Sequence, residues 1–305
     1  MLAVNDFYNS ILENLYEGIY FVDVDRTITF WNKGAELITG FYSDEIIGKH
    51  CNDNILNHVD ENGNKLCLSG CPLHKSLMDG EERNAVVFLH HKDGHRVKIH
   101  TNITPLVENG KIIGGIEVFR EISENKPLMM EEKESYSEEE LKVIALHDQL
   151  TGIPNRRYAE SFLNAKINEY KDLGIALGVI FGDIDNFGNF NNTYGHELGD
   201  KVLKTVSNTM LNAIRKNDLI GRWGGEEFLV ILPAIDYDEL EKNAEKIRML
   251  VENSILRENG AELHITISLG ATMIKKEDYL QSLVKRADDL MYESKKSGKN
   301  RVTMG

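Results

Sequence analysis

A chain of 305 residues with 41% hydrophobic side chains is long and apolar enough for two separate cores. Its formal net charge of −14 argues against a broad nucleic-acid or anionic-membrane surface, which needs clustered Lys and Arg. A small phosphate ligand remains open, because a few local cations or a carboxylate-held metal ion suffice for it.

No stretch approaches the roughly 18 to 20 continuous apolar residues of a spanning helix. The N-terminus carries acids where a secretory signal has a basic flank and an apolar run, so a cytosolic protein is expected. The cysteines are three, Cys51, Cys67 and Cys71, within 21 residues of each other. An odd number in such a chain is no disulfide framework.

The first segment, residues 7–121, opens with a helical pattern and then YFVDVDRTITFWN, two β-rich runs flanking Asp25-Arg26. Short helices and loops follow. The segment closes on three strand-like runs separated by Asp93-Gly94 and Asn109-Gly110, both strong hairpin turns. The second segment, 122–147, is rich in glutamate and reads as an exposed connecting helix, with Pro127 near its start and a partial stripe of Leu141, Ile144 and Ala145.

The third segment, 148–305, alternates helix and strand. Leu163, Ile167 and Tyr170 mark one helical face, and ALGVIFGDID reads as a buried strand ending in acids. Leu203, Val206, Met210 and Ile214 mark a second helix, LIGRWGGEEFLVILP a hairpin turning at Gly224-Gly225, and Leu240, Ala244, Ile247 and Val251 a third helix. LHITISLGATMI adds a strand, and Leu283, Ala287, Leu290 and Met291 a last helix. This is a mixed sheet covered by helices, so the fold class expected is α+β in two domains.

Asp183 and Asp185 end the apolar strand, where α/β sites gather, and two carboxylates so placed repel unless a cation or proton lies between them. Hard oxygens of this kind, together with substrate phosphates, hold Mg²⁺. In RWGGEEF, paired glycines allow close backbone approach, and adjacent Glu226 and Glu227 put one carboxylate on each side of the hairpin. Asn191 and Asp200 lie in a polar stretch before a helix expected to begin near Asp200. Together they offer one amide and one carboxylate for hydrogen bonding. Read one at a time, each of these features also fits an ordinary turn, cap or strand end.

Five motifs in order change that balance: HDQLTGIPNRR (147–157), DIDNF (183–187), N-x3-GHELGD (191–200), RWGGEEF (222–228) and YESKKSGKNRV (292–302). Residues 148–305 resemble the GGDEF domain of diguanylate cyclases, whose fold is like a nucleotidyl-cyclase palm. The resemblance implies condensation of two GTP into cyclic di-GMP and pyrophosphate across a homodimer, with Mg²⁺ or Mn²⁺. It implies Asp183, the Ile184 carbonyl and Glu226 as metal ligands, and Glu226 or Glu227 assisting deprotonation of the ribose 3′-hydroxyl. It implies Asn191 and Asp200 at the guanine, Lys295 and Lys299 at the triphosphate, and Arg215 with Asp218 as a product-inhibition site for cyclic di-GMP.

Lys246 falls where the family often has a supporting arginine, and Gly188 where it usually has a lysine. Losing that cation implies reduced catalysis, which keeps a second reading open: a weak domain acting as a GTP or cyclic di-GMP receptor. A third reading, an enzyme making an adenine-containing product, is opposed by Asp200.

Residues 7–121 resemble a PAS domain, which implies a sensor with a small pocket. The domains expected are a PAS-like sensor at 1–121, a signalling helix at 122–147 and the GGDEF domain at 148–305. Cys51, Cys67 and Cys71, with His50, His58 and His74 nearby, are candidate sensor ligands for a metal, an Fe–S cluster or a haem, or a reversible thiol switch. The C-x3-C-x2-H spacing of 67–74 is compatible with zinc, and thiols without any ligand are the plain alternative. Trp31 is expected in the core.

Overall fold

The computed structural model describes residues 4–53, 55–123, 125–128 and 137–305. The chain divides into two compact units, Met1–Ser123 and Glu124–Gly305. Among the described residues, no helix is long and apolar enough to cross a membrane.

The first unit runs α1 (Val4–Glu13), β1 (Gly18–Asp23), β2 (Ile28–Trp31), α2 (Lys33–Thr39), α3 (Ser43–Ile46), α4 (Pro72–Asp79), β3 (Arg83–His90), β4 (Arg96–Glu108) and β5 (Lys111–Glu121). The strands form one antiparallel sheet in the order β2-β1-β5-β4-β3. Its turns fall where the sequence puts them: Arg26 (φ 66°) lies between β1 and β2, and Asn109-Gly110 (φ 50° and 75°) between β4 and β5. Positive φ at both central residues matches the right-handed twist of the flanking strands.

Asn32 caps α2 through its Oδ1, which accepts from Ile19 and Ala35, while its amide nitrogen donates to Leu12 and Glu17 carbonyls. Buried at the sheet's first corner, this one amide satisfies groups from three consecutive segments. Trp31 lies in the core with Tyr20 and Phe119, its indole N–H donating to the Phe41 carbonyl at 3.1 Å.

The second unit opens without the helix expected from Pro127. Residues 125–128 are not helical, and Leu128 N donates to the Gly152 carbonyl at 2.9 Å. The described helical part of that segment is α5 (Glu138–Ile144), which a Ser137–Glu140 capping box starts. The remainder of the expected helix, including 129–136, lies outside the described residues.

Then follow α6 (Arg156–Leu173), β6 (Leu177–Ile184), α7 (Phe187–Tyr194), α8 (His196–Ala213), β7 (Leu219–Gly224), β8 (Glu227–Pro233), α9 (Tyr237–Glu252), β9 (Ile255–Glu258), β10 (Ala261–His264), β11 (Ile267–Met273), α10 (Leu280–Lys296) and β12 (Val302–Met304). The main sheet has the order β12-β11-β6-β8-β7, parallel at β11–β12 and antiparallel elsewhere, and β9–β10 is a separate hairpin. All eight residues of β6 are buried, as expected of a central strand covered on both faces.

Leu177, Val179 and Phe181 pack with Ala159, Leu163 and Ile167 of α6 and Leu283, Ala287 and Met291 of α10. On the other face Gly178 meets Leu240 of α9, where a methyl group would come within 2.9 Å of a leucine carbon. Gly270 of β11 has α10 backbone directly on it: a Cβ there would lie 2.2 Å from the Ala287 carbonyl oxygen and the Met291 nitrogen. That contact seats α10, and with it Lys295, over the centre of the sheet.

Candidate active site

The tip of β6 sets the site. Asp183 is its second-last residue, paired in register with Glu227 of β8 and Ser268 of β11. The residue is 7% exposed, and Lys295 Nζ from α10 stands 2.6 Å from Oδ1 as an ion pair. Burial drives the Asp183 carboxyl up to about 6, with Lys295 opposing the rise and the charges of Glu226 and Glu227 adding to it.

The strand ends at Ile184, whose N–H donates to the Glu226 carbonyl at 3.3 Å, and Asn186 (φ 59°) turns the chain into α7. That turn separates Asp185 from Asp183. Asp185 accepts from Thr266 Oγ1 at 2.8 Å, Ser268 Oγ at 2.6 Å and the Asn300 N–H at 2.9 Å, so it ties the start of β11 to the loop before β12. The sequence reading puts a cation or a proton between the two aspartates, but the structure separates them: Asp185 lies beyond the strand and both its oxygens already accept hydrogen bonds.

The β7–β8 hairpin turns at Gly225-Glu226, with Gly225 at φ 21°, one residue later than the Gly224-Gly225 turn expected. Sequence reasoning assigned no role to Arg222, yet it clamps this turn. Its guanidinium donates to the Gly225 carbonyl at 2.9 and 2.7 Å and to both Asp148 oxygens at 3.0 and 3.1 Å. Two of the five motifs thus meet: Asp148 from HDQLTGIPNRR holds the arginine of RWGGEEF. Their co-occurrence was the available signal.

Glu227 lines a cleft of about 330 Å³ with Arg156, Trp223, Lys285 and Asp288, and Arg156 lies 4.5 Å from the Trp223 ring centroid. Burial raises the Glu227 carboxyl, and the negative charges of Asp288 and Glu226 raise it further.

Asn191 and Asp200 sit on helices rather than in a loop, a correction to the sequence reading. Asn191 is in α7, and Asp200 is inside α8, which begins at His196 instead of near Asp200. The polar composition of NNTYGHELGD concealed two helices broken only at Gly195 (φ 87°). Gly199, next to Asp200, packs on Asn191: a Cβ there would lie 1.9 Å from Asn191 Oδ1. That Oδ1 is buried with no hydrogen-bond partner, while Asp200 is exposed. A buried acceptor without a partner is one that gains from meeting a donor.

Lys299 (φ 63°) donates to Asn186 Oδ1, which brings its ammonium to the turn after β6. Gly188 is the second residue of α7 and is exposed, with nothing within 4 Å of where a Cβ would stand. On a separate edge, Arg215 N donates to Asp218 Oδ2 at 2.9 Å, and the Arg215 side chain is exposed, 3.7 Å from Glu239. Burial raises the Asp218 carboxyl, opposed by the charges of Arg215 and Lys246, so Lys246 does stand at this motif.

Fold, strand-tip carboxylates and hairpin define a nucleotide-cyclase-like domain. Residues 145–301 match the family described as diguanylate cyclase, GGDEF domain, and residues 6–122 match the PAS fold. The chain belongs to the GGDEF family.

Diguanylate cyclase DosC of Escherichia coli K12 is 34% identical over 158 residues, covering 52% of this chain and 34% of that protein. Probable diguanylate cyclase DgcE of the same strain is 27% identical over 299 residues, covering 96% of this chain and 26% of that protein. This chain therefore spans about a third or less of the length of these relatives. The crystal structure of the coiled coil and GGDEF domain of DgcB from Caulobacter crescentus, in complex with c-di-GMP, superposes with a TM-score of 0.53 at 30% identity. That match covers 55% of this chain and 89% of that one.

Proposed function

We propose that the chain is a diguanylate cyclase: two GTP are condensed into cyclic di-GMP and two pyrophosphates between two copies of the C-terminal unit, under control of the N-terminal unit. The observation that carries this reading is the gathering of Asp183, Glu226, Glu227, Lys295 and Lys299 around the tip of β6 and the β7–β8 turn.

The donor set fits Mg²⁺ or Mn²⁺. Among the described residues, no three acidic, His or Cys groups already stand at ligand spacing. An ion that takes one or two carboxylates plus substrate phosphates needs no such cage. Asp183, the Ile184 carbonyl and Glu226 would hold it, and when bound it supplies charge neutralisation at the α-phosphate.

The rest falls to the chain. Lys295 and Lys299 meet the triphosphate, and Asn191 Oδ1 and the Asp200 carboxylate accept from guanine N–H groups. Glu227, or Glu226, takes the proton of the 3′-hydroxyl. That oxygen attacks the α-phosphorus of the GTP on the opposing domain, forming a phosphodiester as the α–β anhydride bond breaks and pyrophosphate leaves. Repeated in the reverse sense, the step closes the ring. Arg215 and Asp218 would bind product away from this site.

Gly188 favours a second reading, a GTP or cyclic di-GMP receptor of little turnover. The test is incubation of the purified chain with GTP and Mg²⁺ beside Glu226→Ala. Cyclic di-GMP from the unsubstituted chain alone supports the cyclase; bound but unconverted GTP, also with residues 137–305 alone, supports the receptor.

A further inference from the structure

The N-terminal unit holds a group of donors for which the cyclase reading has no use. Cys51, Cys67, Cys71 and His58 line one small cavity, together with Tyr20, Thr101 and Glu117. The fold assembles them from separate stretches. The Leu66 N–H donates to the His58 carbonyl at 2.9 Å, which folds the 58–66 loop back and sets Cys67 beside His58. Cys71 is the N-cap of α4, and Cys51 is buried in the sheet's core cluster.

His50 and His74, sequence candidates for the same role, are not in the lining: His50 Nδ1 bonds the Asp25 carbonyl and His74 is exposed. His58 is 9% exposed, and its Nε2 has no hydrogen-bond partner. A buried imidazole nitrogen left unpaired is costly, and a ligand in the cavity would recover that cost.

We propose that this cavity is a site for one thiophilic divalent cation of the Zn²⁺ type, bound by the Sγ atoms of Cys51, Cys67 and Cys71 and by His58 Nε2. Three thiolates and one neutral imidazole are a common tetrahedral zinc set. Binding replaces three S–H bonds by three metal–sulfur bonds and releases three protons, while the imidazole contributes a lone pair and no proton.

Backbone N–H groups meet two of the thiols, that of His58 at Cys67 and those of His74 and Leu73 at Cys71. Burial meanwhile holds all three thiols above their ordinary range, Cys67 at about 11, so the metal-free protein keeps them as neutral, weakly nucleophilic thiols.

Size decides against the larger cofactors. The cavity is about 10 Å³, room for a single water-sized sphere, whereas drug-sized cofactors occupy pockets of roughly 300–1,000 Å³. Among the described residues, no three such donors already stand at ligand spacing. The bound form therefore requires the thiols to change χ1 well, which swings Sγ while leaving the backbone in place. Glu117 is held by Tyr20 Oη at 2.5 Å and Thr101 Oγ1 at 2.7 Å, leaving it beside the ion rather than on it.

The experiment strips the purified full chain with a chelator under reducing conditions and titrates it with Co²⁺, then Zn²⁺. One Co²⁺ per chain is expected, with the intense absorption of tetrahedral thiolate coordination, displaced by one Zn²⁺ and accompanied by release of three protons. Zn²⁺ should protect all three cysteines from alkylation. His58→Ala should weaken affinity at least tenfold while His74→Ala leaves it unchanged, and Cys67→Ser should lower the thiolate absorption by about a third at saturating Co²⁺, one of three metal–sulfur bonds being lost. Equal alkylation with and without Zn²⁺ overturns the proposal, as does loss of binding in His74→Ala instead of His58→Ala. If the cysteine variant does not fold, alkylation of the unsubstituted chain decides alone.

Discussion

Gly188 is the residue at which the proposed chemistry is incomplete, and the structure leaves room to complete it. The position is exposed on the first turn of α7, and a side chain added there would meet no atom within 4 Å of its Cβ. Gly188→Lys should raise the rate of cyclic di-GMP formation about tenfold or more, because a positioned cation meets charge as it develops. It should also raise stability by roughly 0.5–1 kcal/mol, since glycine is a poor helix residue. Steady-state kinetics and denaturant midpoints measure the two effects, and an unchanged rate would show that another group already supplies the charge.

Gly199 works oppositely. With a Cβ 1.9 Å from Asn191 Oδ1, Gly199→Ala must push that side chain away. The expected result is weaker GTP binding, about tenfold, with the discrimination of GTP over ATP reduced, read from competition titrations. Those two glycines look alike in the sequence, and only their surroundings separate the replaceable one from the fixed one.

Individual acids were legible as candidates but not as partners. Asp183 and Asp185 are two apart on an apparent strand, and nothing in DIDNF says that the strand stops at Ile184 or that Thr266, Ser268 and Asn300 will claim the second aspartate.

Among the elements, the β7–β8 hairpin depends on a clamp outside itself. Arg222 bonds the turn carbonyl of Gly225 and both oxygens of Asp148. Arg222→Ala removes the cation from Asp148, which keeps only its Thr151 hydrogen bonds, and leaves the turn untethered. Activity should fall by two or more powers of ten, while the folded structure by circular dichroism changes little. Arg222→Lys should not restore it, since one ammonium does not reproduce the bidentate fork.

A second tie fixes the start of α10. Asp278 accepts from Arg286 at 2.9 and 2.6 Å and from Lys275 N at 2.7 Å. Burial by itself would raise this carboxyl, but Arg286 and the hydrogen bonds bring it below its ordinary value. Its contribution is therefore fully present above the unfolded pKa of about 3.9 and is lost as pH falls through and below that point. Urea midpoints of the intact chain and Asp278→Asn should differ most at pH 6, and the difference should shrink as pH is lowered below about 4.

Hydrophobic periodicity marked α6, α8, α9 and α10, because each buries one apolar face, and glycine-bearing dipeptides marked the hairpin turns. It did not mark α7, whose FGNFNNTY is polar and glycine-bearing and is helical only in its tertiary setting. The helix expected from Pro127 failed for the reverse reason: glutamate-rich composition favours a helix locally, yet Leu128 is drawn into pairing with Gly152.

At the scale of the molecule, the two core clusters share no residue: one is built on Tyr20, Trp31 and Phe119, the other on β6, α6 and α10. Each unit should therefore fold by itself. Separate fragments of residues 1–123 and 124–305 are expected to unfold cooperatively in urea, each with its own midpoint, and loss of cooperativity in either would show that one core leans on the other.

Lys295 has a consequence for the order of events. In the free protein its ammonium already neutralises Asp183, so the site carries its own counter-ion. A bare divalent cation arriving alone must displace that lysine from its 2.6 Å ion pair and brings no anion of its own to take its place. A metal–nucleotide complex brings phosphate oxygens that take the lysine as the metal takes the carboxylate, an exchange of partners with no charge left stranded. Calorimetric titration with Mg²⁺ alone should be nearly silent and titration with Mg²⁺–GTP should not, so that substrate and metal enter as one species.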